Sequence, residues 1–236
     1  MEIKMLEITI QYVHPAWNHI PKSIWQSLLL ETNSYNSFNG QIVRIADKIA
    51  SGEIQYPSRK GLADLTDISN EFKGDVFECH GEHFCHRIGP AIGIWKPKFS
   101  LPRDWGVDFT GVGNDGEAKV GQIKFRSDAD AVLDGRNDGL DGFIEEGFWT
   151  YKIKPGSKNF LIITNTKGVN YKDCIYRWKD CVSWITPNSS YGIDRGKKFH
   201  ASGENRMISL RQLTDAEKSE NPQQHQFWSE LRNLFI

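Results

Sequence analysis

The chain has 236 residues, of which 39% are hydrophobic and 25% charged, and a formal net charge of −1. That composition is ordinary for a soluble globular protein of one large domain, or one domain with a helical appendage. Eight Trp and thirteen Phe supply enough core that neither metal nor disulfide is needed for folding, and no run approaches the roughly 18 apolar residues of a membrane span.

The opening "MEIKMLEITIQYVHPAW" lacks a basic segment followed by an apolar one, so no secretory signal is expected. Residues 1–72 read as a mostly helical region. "PKSIWQSLLLE" places apolar residues at 24, 25, 28 and 29, and "GQIVRIADKIASG" at 42, 45, 46 and 49, both helical spacings. The Asn/Ser stretch "TNSYNSFNG" (32–40) between them is expected to be a loop. None of this carries recognisable chemistry.

A second unit is expected from Lys73. "KGDVFECHGEHFCHRIG" has Phe77, Phe84 and Ile88 at i, i+7 and i+11 with Gly81 on the same stripe, as in a helix lying close against something flat. "ECHGEHFCH" invites a zinc reading, with Cys79, His83 and His86 at i, i+4 and i+7. The stretch matches neither HExxH nor HxxEH, and the spacings Cys79–Cys85 and Cys174–Cys181 are not those of structural zinc, so zinc is disfavoured. The Cys side chains are expected to pack as small apolar groups, and the histidines to be exposed or hydrogen-bonded, with His80, His83 or His86 within possible reach of a phosphate. Four cysteines in a chain this long fit a reduced interior, and a cytoplasmic location is expected. "IWKPKFSLPRD" (94–104), with two prolines, should be extended or irregular.

The segment "DWGVDFTGVGNDGEAKVGQIKFR" (104–126) reads as a hairpin. If its turn centres on Asp115, Asp108 sits opposite Gln122, with side chains about 5 Å apart, and Gln122 and Lys124 share a face. A carboxylate on an apolar sheet needs a cation, either Lys124 or a metal. A hard divalent ion such as Mg²⁺ suits the patch. Asp108 supplies a carboxylate oxygen, Gln122 its amide oxygen and Ile123 its backbone carbonyl, while Lys124 polarises an attacking water and offsets charge on phosphorus. An Asp108–Lys124 ion pair on an exposed sheet face accounts for the same residues.

"DGLDGFIEEGFW" (138–149) has an amphipathic helical pattern through Leu140, Phe143, Ile144, Gly147 and Phe148. "NFLIITNT" (159–166) is a continuous apolar run expected to be a strand covered on both faces. Helix, hairpin, helix and buried strand describe an α/β arrangement, a mixed sheet with helices on both sides. The tail holds a Trp-rich segment (Tyr176, Trp178, Trp184) and a closing helix, "QHQFWSELRNLF". Charge is segregated: 151–200 has ten Lys or Arg against three Asp, and 128–146 has seven acids against Arg136.

Asp, a hairpin turn, a polar residue, one apolar residue and Lys together resemble the PD-(D/E)xK nuclease superfamily. The resemblance is to its Mrr-like restriction-endonuclease branch in particular, including nuclease domains attached to some helicases. "KGDVFE" (73–78) is similar to that branch's first-helix motif, "RDWGVDFTG" to its Asp strand and "VGQIKFR" to its Gln-x-Lys strand. The likeness covers about 73–165, and Gln122 stands where the general motif has an acid. It implies a restriction-endonuclease-like mixed β-sheet flanked by helices over 73–236, with a core at 73–165 and a basic extension at 166–236. It also implies an active site of Glu78, Asp108, Gln122 and Lys124, with Glu78 as a further metal ligand.

The activity so implied is Mg²⁺-dependent (or Mn²⁺-dependent) hydrolysis of DNA phosphodiester bonds, leaving 5′-phosphate and 3′-hydroxyl ends. The alternative is a nuclease-derived DNA-binding module that no longer cuts. DNA is expected to track Lys152, Lys154, Lys158, Lys167, Lys172, Arg177, Lys179, Arg195, Lys197 and Lys198, with aromatic residues interleaved. A homodimer is one expected assembly, since double-strand cleavage needs two sites. A helicase partner is another, on a separate chain because no GxxxxGK[ST] loop occurs here.

Overall fold

Prolines stand at the N-caps of the first two helices, α1 (Ala16–His19) and α2 (Lys22–Leu30), where a helix has no use for an N–H donor. The next helix, α3 (Tyr35–Ala50), begins well inside the stretch expected to be a loop. Ser34 and Ser37 form a capping box: each hydroxyl accepts the other's backbone N–H, at 3.2 and 3.1 Å. Phe38, Ile42, Ile45 and Ile49 then line one buried face. The computed structural model describes residues 11–87, 89, 94–99, 106–128, 130–134, 139, 142–143, 146–147, 150–153, 159–166, 168–170, 206–209 and 222–235.

Asp64 caps the long helix α4 (Leu65–Arg87), its Oδ1 accepting the N–H groups of Thr66 at 2.8 Å and Asp67 at 3.1 Å. At 23 residues it runs about 35 Å. The boundary expected between residues 72 and 73 therefore falls inside one continuous helix. A single apolar cluster spans it, joining Trp25, Phe38 and Ile49 to Phe77, Ile123 and Leu231.

Five strands form a sheet in the order β1-β2-β3-β5-β7. They are β1 (Trp95–Phe99), β2 (Phe109–Val112), β3 (Ala118–Lys124), β5 (Phe160–Thr164) and β7 (Arg206–Ser209). The first three are antiparallel neighbours, and β5 runs parallel to both β3 and β7. Two short strands, β4 (Val132–Asp134) and β6 (Gly168–Asn170), make a separate parallel pair. Pro97 is accommodated because β1 is an edge strand whose register slips between Trp95 and Lys98. All five residues of β5 are buried, as its apolar run demands. The last helix, α5 (Pro222–Asn233), packs against α2. Tyr176, Trp178 and Trp184 lie outside the described residues. No helix among the described residues is long and apolar enough to cross a membrane.

Glycines set the closeness of the layers. A Cβ on Gly81 would stand 2.5 Å from Ile123 Cδ1, so α4 rests directly on β3. On the opposite face the chain is helical at 142–143 and 146–147, where Gly147 meets the Phe160 ring and Phe143 is buried edge-on to it. Phe109 pairs with Gly121 across the hairpin and its ring covers the glycine, so a Cβ there would lie 1.9 Å from the ring.

The α4 face turned to the N-terminal region is acidic. Glu71, Asp75, Glu78 and Glu82 recur at i, i+4, i+7 and i+11. Glu71 accepts from Ser58 Oγ and Lys60 N–H; Asp75 accepts from Tyr56 and Arg59. Glu82, fully buried, accepts the N–H of Val13 at 2.8 Å, the N–H of His14 at 3.1 Å and the indole N–H of Trp17. Burial pushes the Glu82 carboxyl up, yet His86 at 3.8 Å together with those donors brings it below the ordinary carboxylate value.

Two histidines on α4 are buried: His83 is hydrogen-bonded, as expected, whereas neither ring nitrogen of His80 has a hydrogen-bond partner. His80 sits among Phe38, Phe77, Phe227 and Trp228, and burial, with His83 nearby, lowers it to about 3. His83 takes a hydrogen bond from Tyr12 Oη at 2.6 Å and donates to the Phe227 carbonyl at 3.4 Å; burial holds it at about 4. Cys79 and Cys85 are buried free thiols.

Replacing Gly121 with Ala is expected to destabilise the fold by about 1–3 kcal/mol, measured by urea unfolding, because the Phe109 ring has nowhere to go. Acid should also destabilise. With folded values near 3 and 4 against 6.5 when free, His80 and His83 favour the fold fully above pH 6.5 and lose that contribution progressively as pH falls from 6.5 to 4 and 3. Unfolding free energies from urea titrations at pH 7 and pH 5 should differ by about 2 kcal/mol for each histidine, and His80→Phe should remove about half of the difference.

Candidate active site

The hairpin turn lies at Asn114 and Asp115, closed by Gly113 N–H to Glu117 O at 2.8 Å, with Gly116 at a φ of +77°. Pairing runs Phe109 to Gly121, Thr110 to Val120, Gly111 to Lys119 and Val112 to Ala118, the register expected for a turn centred on Asp115. Strand β2 stops one residue short of Asp108. Asp108 N–H still donates to Gly121 O at 2.9 Å, and its carboxylate Oδ2 then accepts the N–H of Ile123. A side chain thus continues the ladder where the backbone leaves it. Because the N–H and C=O of one strand residue point to the same edge, the Ile123 carbonyl faces the edge that carries Asp108.

Alternation puts Gln122 and Lys124 on the face of β3 opposite α4, while Ile123 packs toward the helix, as does Phe125 just beyond the strand, against Phe77 at 5.3 Å. Gln122 is 3% exposed, and its Oε1 has no hydrogen-bond partner in the structure. An unsatisfied buried carbonyl costs about 1–3 kcal/mol, so an oxygen held in this way is poised for a donor or a cation.

A cleft of about 1000 Å³ opens here and brings together Glu78 from α4, Asp108, Gln122, Ile123 and Lys124. All the residues expected to be catalytic or metal-ligating therefore line one space, although they come from α4 and both arms of the hairpin. Glu78, 30% exposed at its side chain, also accepts from His14 Nε2 at 2.7 Å. Among the described residues no cluster of three or more His, Cys, Asp or Glu is placed to hold a metal ion. Any divalent-ion site here would therefore rest on Asp108 and Glu78, completed by the Gln122 amide oxygen and the Ile123 carbonyl.

Sequence reading missed the remaining charge. Arg59, Lys60, Lys73 and Arg126 join Lys124 on the cleft wall, so that among the described residues five cationic side chains stand against the two carboxylates Glu78 and Asp108. Burial, Arg126 and Lys60 hold Lys124 below the ordinary lysine value, with Asp108 and Glu78 opposing. Burial lowers Lys73 too, as does Arg126, and burial lowers Arg126 itself. Lys73 Nζ donates to Ser127 Oγ at 3.0 Å. Arg126 was within reach of sequence reasoning, since it extends the 122, 124 alternation by one step. Arg59 and Lys60 were not, because only the fold brings the 58–62 loop to α4.

Of the expected DNA-tracking residues, Lys152 is described and exposed. Lys154, Lys158, Lys167, Lys172, Arg177, Lys179, Arg195, Lys197 and Lys198 lie outside the described residues. His80 and His83 are absent from the cleft lining, being committed to the core on the far side of α4. A scan against protein-family models, a search of curated proteins and a search of solved structures each return no match.

Gln122→Leu should test whether the amide is kept for the site rather than for the fold. Removing an unsatisfied buried oxygen is expected to leave stability unchanged or raise it by about 1 kcal/mol in urea unfolding. A loss larger than that would mean that the amide is structurally satisfied.

Proposed function

We propose that this chain is a Mg²⁺-dependent DNA endonuclease with a restriction-endonuclease-like core. The observation that carries the reading is the convergence of Glu78, Asp108, Gln122 and Lys124 on one cleft whose other charged side chains, among the described residues, are cationic. The order of elements supports it as well: a long helix, three antiparallel strands, a helical stretch and a parallel strand β5 against β3. That is the arrangement the Mrr-like resemblance implies.

The donor set fits a hard cation, because the partnerless Gln122 Oε1 and the Asp108 carboxylate flank the Ile123 carbonyl edge. A divalent ion bound by these groups supplies Lewis acidity toward a phosphoryl oxygen and makes a bound water more acidic. The chain's own residues supply the rest. Asp108 is held in place by Ile123 N–H, so its orientation costs little reorganisation. Lys124, half-buried and crowded by Arg126 and Lys60, is a cation short of counter-charge, suited to meet negative charge developing on phosphorus. Arg126, Lys60 and Lys73 do the same for the flanking phosphates of a strand. Desolvated cations of this kind are stabilised by a polyanion more than by bulk water.

Purified protein should nick plasmid DNA in Mg²⁺ and not in EDTA, leaving 5′-phosphate ends. Asp108→Ala and Lys124→Ala should each cut at least about 100-fold more slowly. DNA binding without any Mg²⁺-dependent cleavage would instead mark a nuclease-derived binding module. In either case Arg126→Ala should weaken DNA binding and reduce the slope of log affinity against log salt by about one.

A further inference from the structure

His14 belongs to the N-terminal region, for which the sequence offers no chemistry, yet it lines the cleft and touches Glu78. Its ring is oriented from both sides. Ala16 N–H donates to Nδ1 at 3.3 Å, so the ring lone pair lies at Nδ1 and the proton at Nε2, which faces Glu78 Oε2 at 2.7 Å. Cys79 Sγ, at 3.7 Å from Nδ1, closes the same side, and His14 is 7% exposed. The backbone carrying His14 is fixed in turn. The N–H groups of Val13 and His14 and the indole of Trp17 all end on Glu82, one helical turn beyond Glu78 on α4. Glu82 therefore anchors the strap, and the strap returns a histidine to the next acid along the helix.

We infer that His14 is a positioning residue: it holds the Glu78 carboxylate in the orientation that ligates a divalent cation in the cleft. The N-terminal strap is thus part of the active site and not only a scaffold. One carboxylate oxygen, Oε2, takes the imidazole N–H, which fixes the carboxylate plane and leaves the side chain's other oxygen for the cleft. The inference rests on the nuclease reading to the extent that Glu78 is taken as a ligand.

The test is calorimetric titration of Mn²⁺ into the full chain, without DNA, with the thermal midpoint measured for every variant. His14→Ala should weaken Mn²⁺ binding about tenfold or more, whereas His14→Gln, which places an amide N–H where Nε2 stood, should stay within about threefold of wild type. In a Glu78→Gln background His14→Ala should change Mn²⁺ affinity no further, because its effect passes through Glu78. Equal Mn²⁺ affinity in wild type and His14→Ala would overturn the inference and leave the nuclease reading standing. So would a His14→Gln protein that melts like wild type but binds as weakly as His14→Ala. Absence of Mn²⁺ binding by wild type would overturn both.

Discussion

The acidic face of α4 is the constraint on which the rest of the structure depends. A helix that turns Glu71, Asp75 and Glu82 into the protein interior places three carboxylates where each, unsatisfied, would cost several kcal/mol. Every one of them is met by donors from residues 12–62: hydroxyls of Tyr56 and Ser58, the Arg59 guanidinium, and backbone N–H groups at 13, 14 and 60. The N-terminal region therefore cannot be an independent appendage. Its loops are cut to the spacing of those acids, and removing one donor would strand a buried charge.

The opposite consequence follows at the end of that stripe. Glu78 is the member that reaches the cleft, and the sheet arranges matching groups there because β2 ends at Phe109 while β3 continues to Lys124. The three-residue overhang, Gln122 to Lys124, is paired with β5 on one edge, and among the described residues its β2-side backbone groups have no strand partner. Asp108 satisfies one with its carboxylate, and Gln122 presents an oxygen that nothing satisfies. The proposed site occupies a place where the sheet is left incomplete.

Electrostatics points the same way. Cations within a partly buried cleft repel one another, and Lys73, Lys124 and Arg126 are all held below their ordinary values by burial. Arg59 differs: its hydrogen bond to Asp75 raises it, which marks it as a structural strut that also shows a face to the cleft. The cleft thus combines one cation hydrogen-bonded to a carboxylate, Arg59, with others whose charged form burial disfavours.

Period and turn chemistry determined much of this from sequence alone. The Asn114-Asp115-Gly116 turn set the hairpin register, and with it the common face of Gln122 and Lys124. The unbroken run in β5 declared its double coverage, and the apolar spacings of α2 and α3 declared their faces. These are local consequences, since neighbours in sequence settle them. The start of α3 at Ser34 was hidden because a serine cap looks like loop composition. The acidic stripe of α4 was hidden because buried carboxylates look like a solvated face until their partners are known. Those partners, His14 for Glu78 and the 56–60 loop for Glu71 and Asp75, lie up to 64 residues away. Only the tertiary structure decided that they meet, because the energy of a buried charge depends on which donors surround it in space and not on its neighbours along the chain.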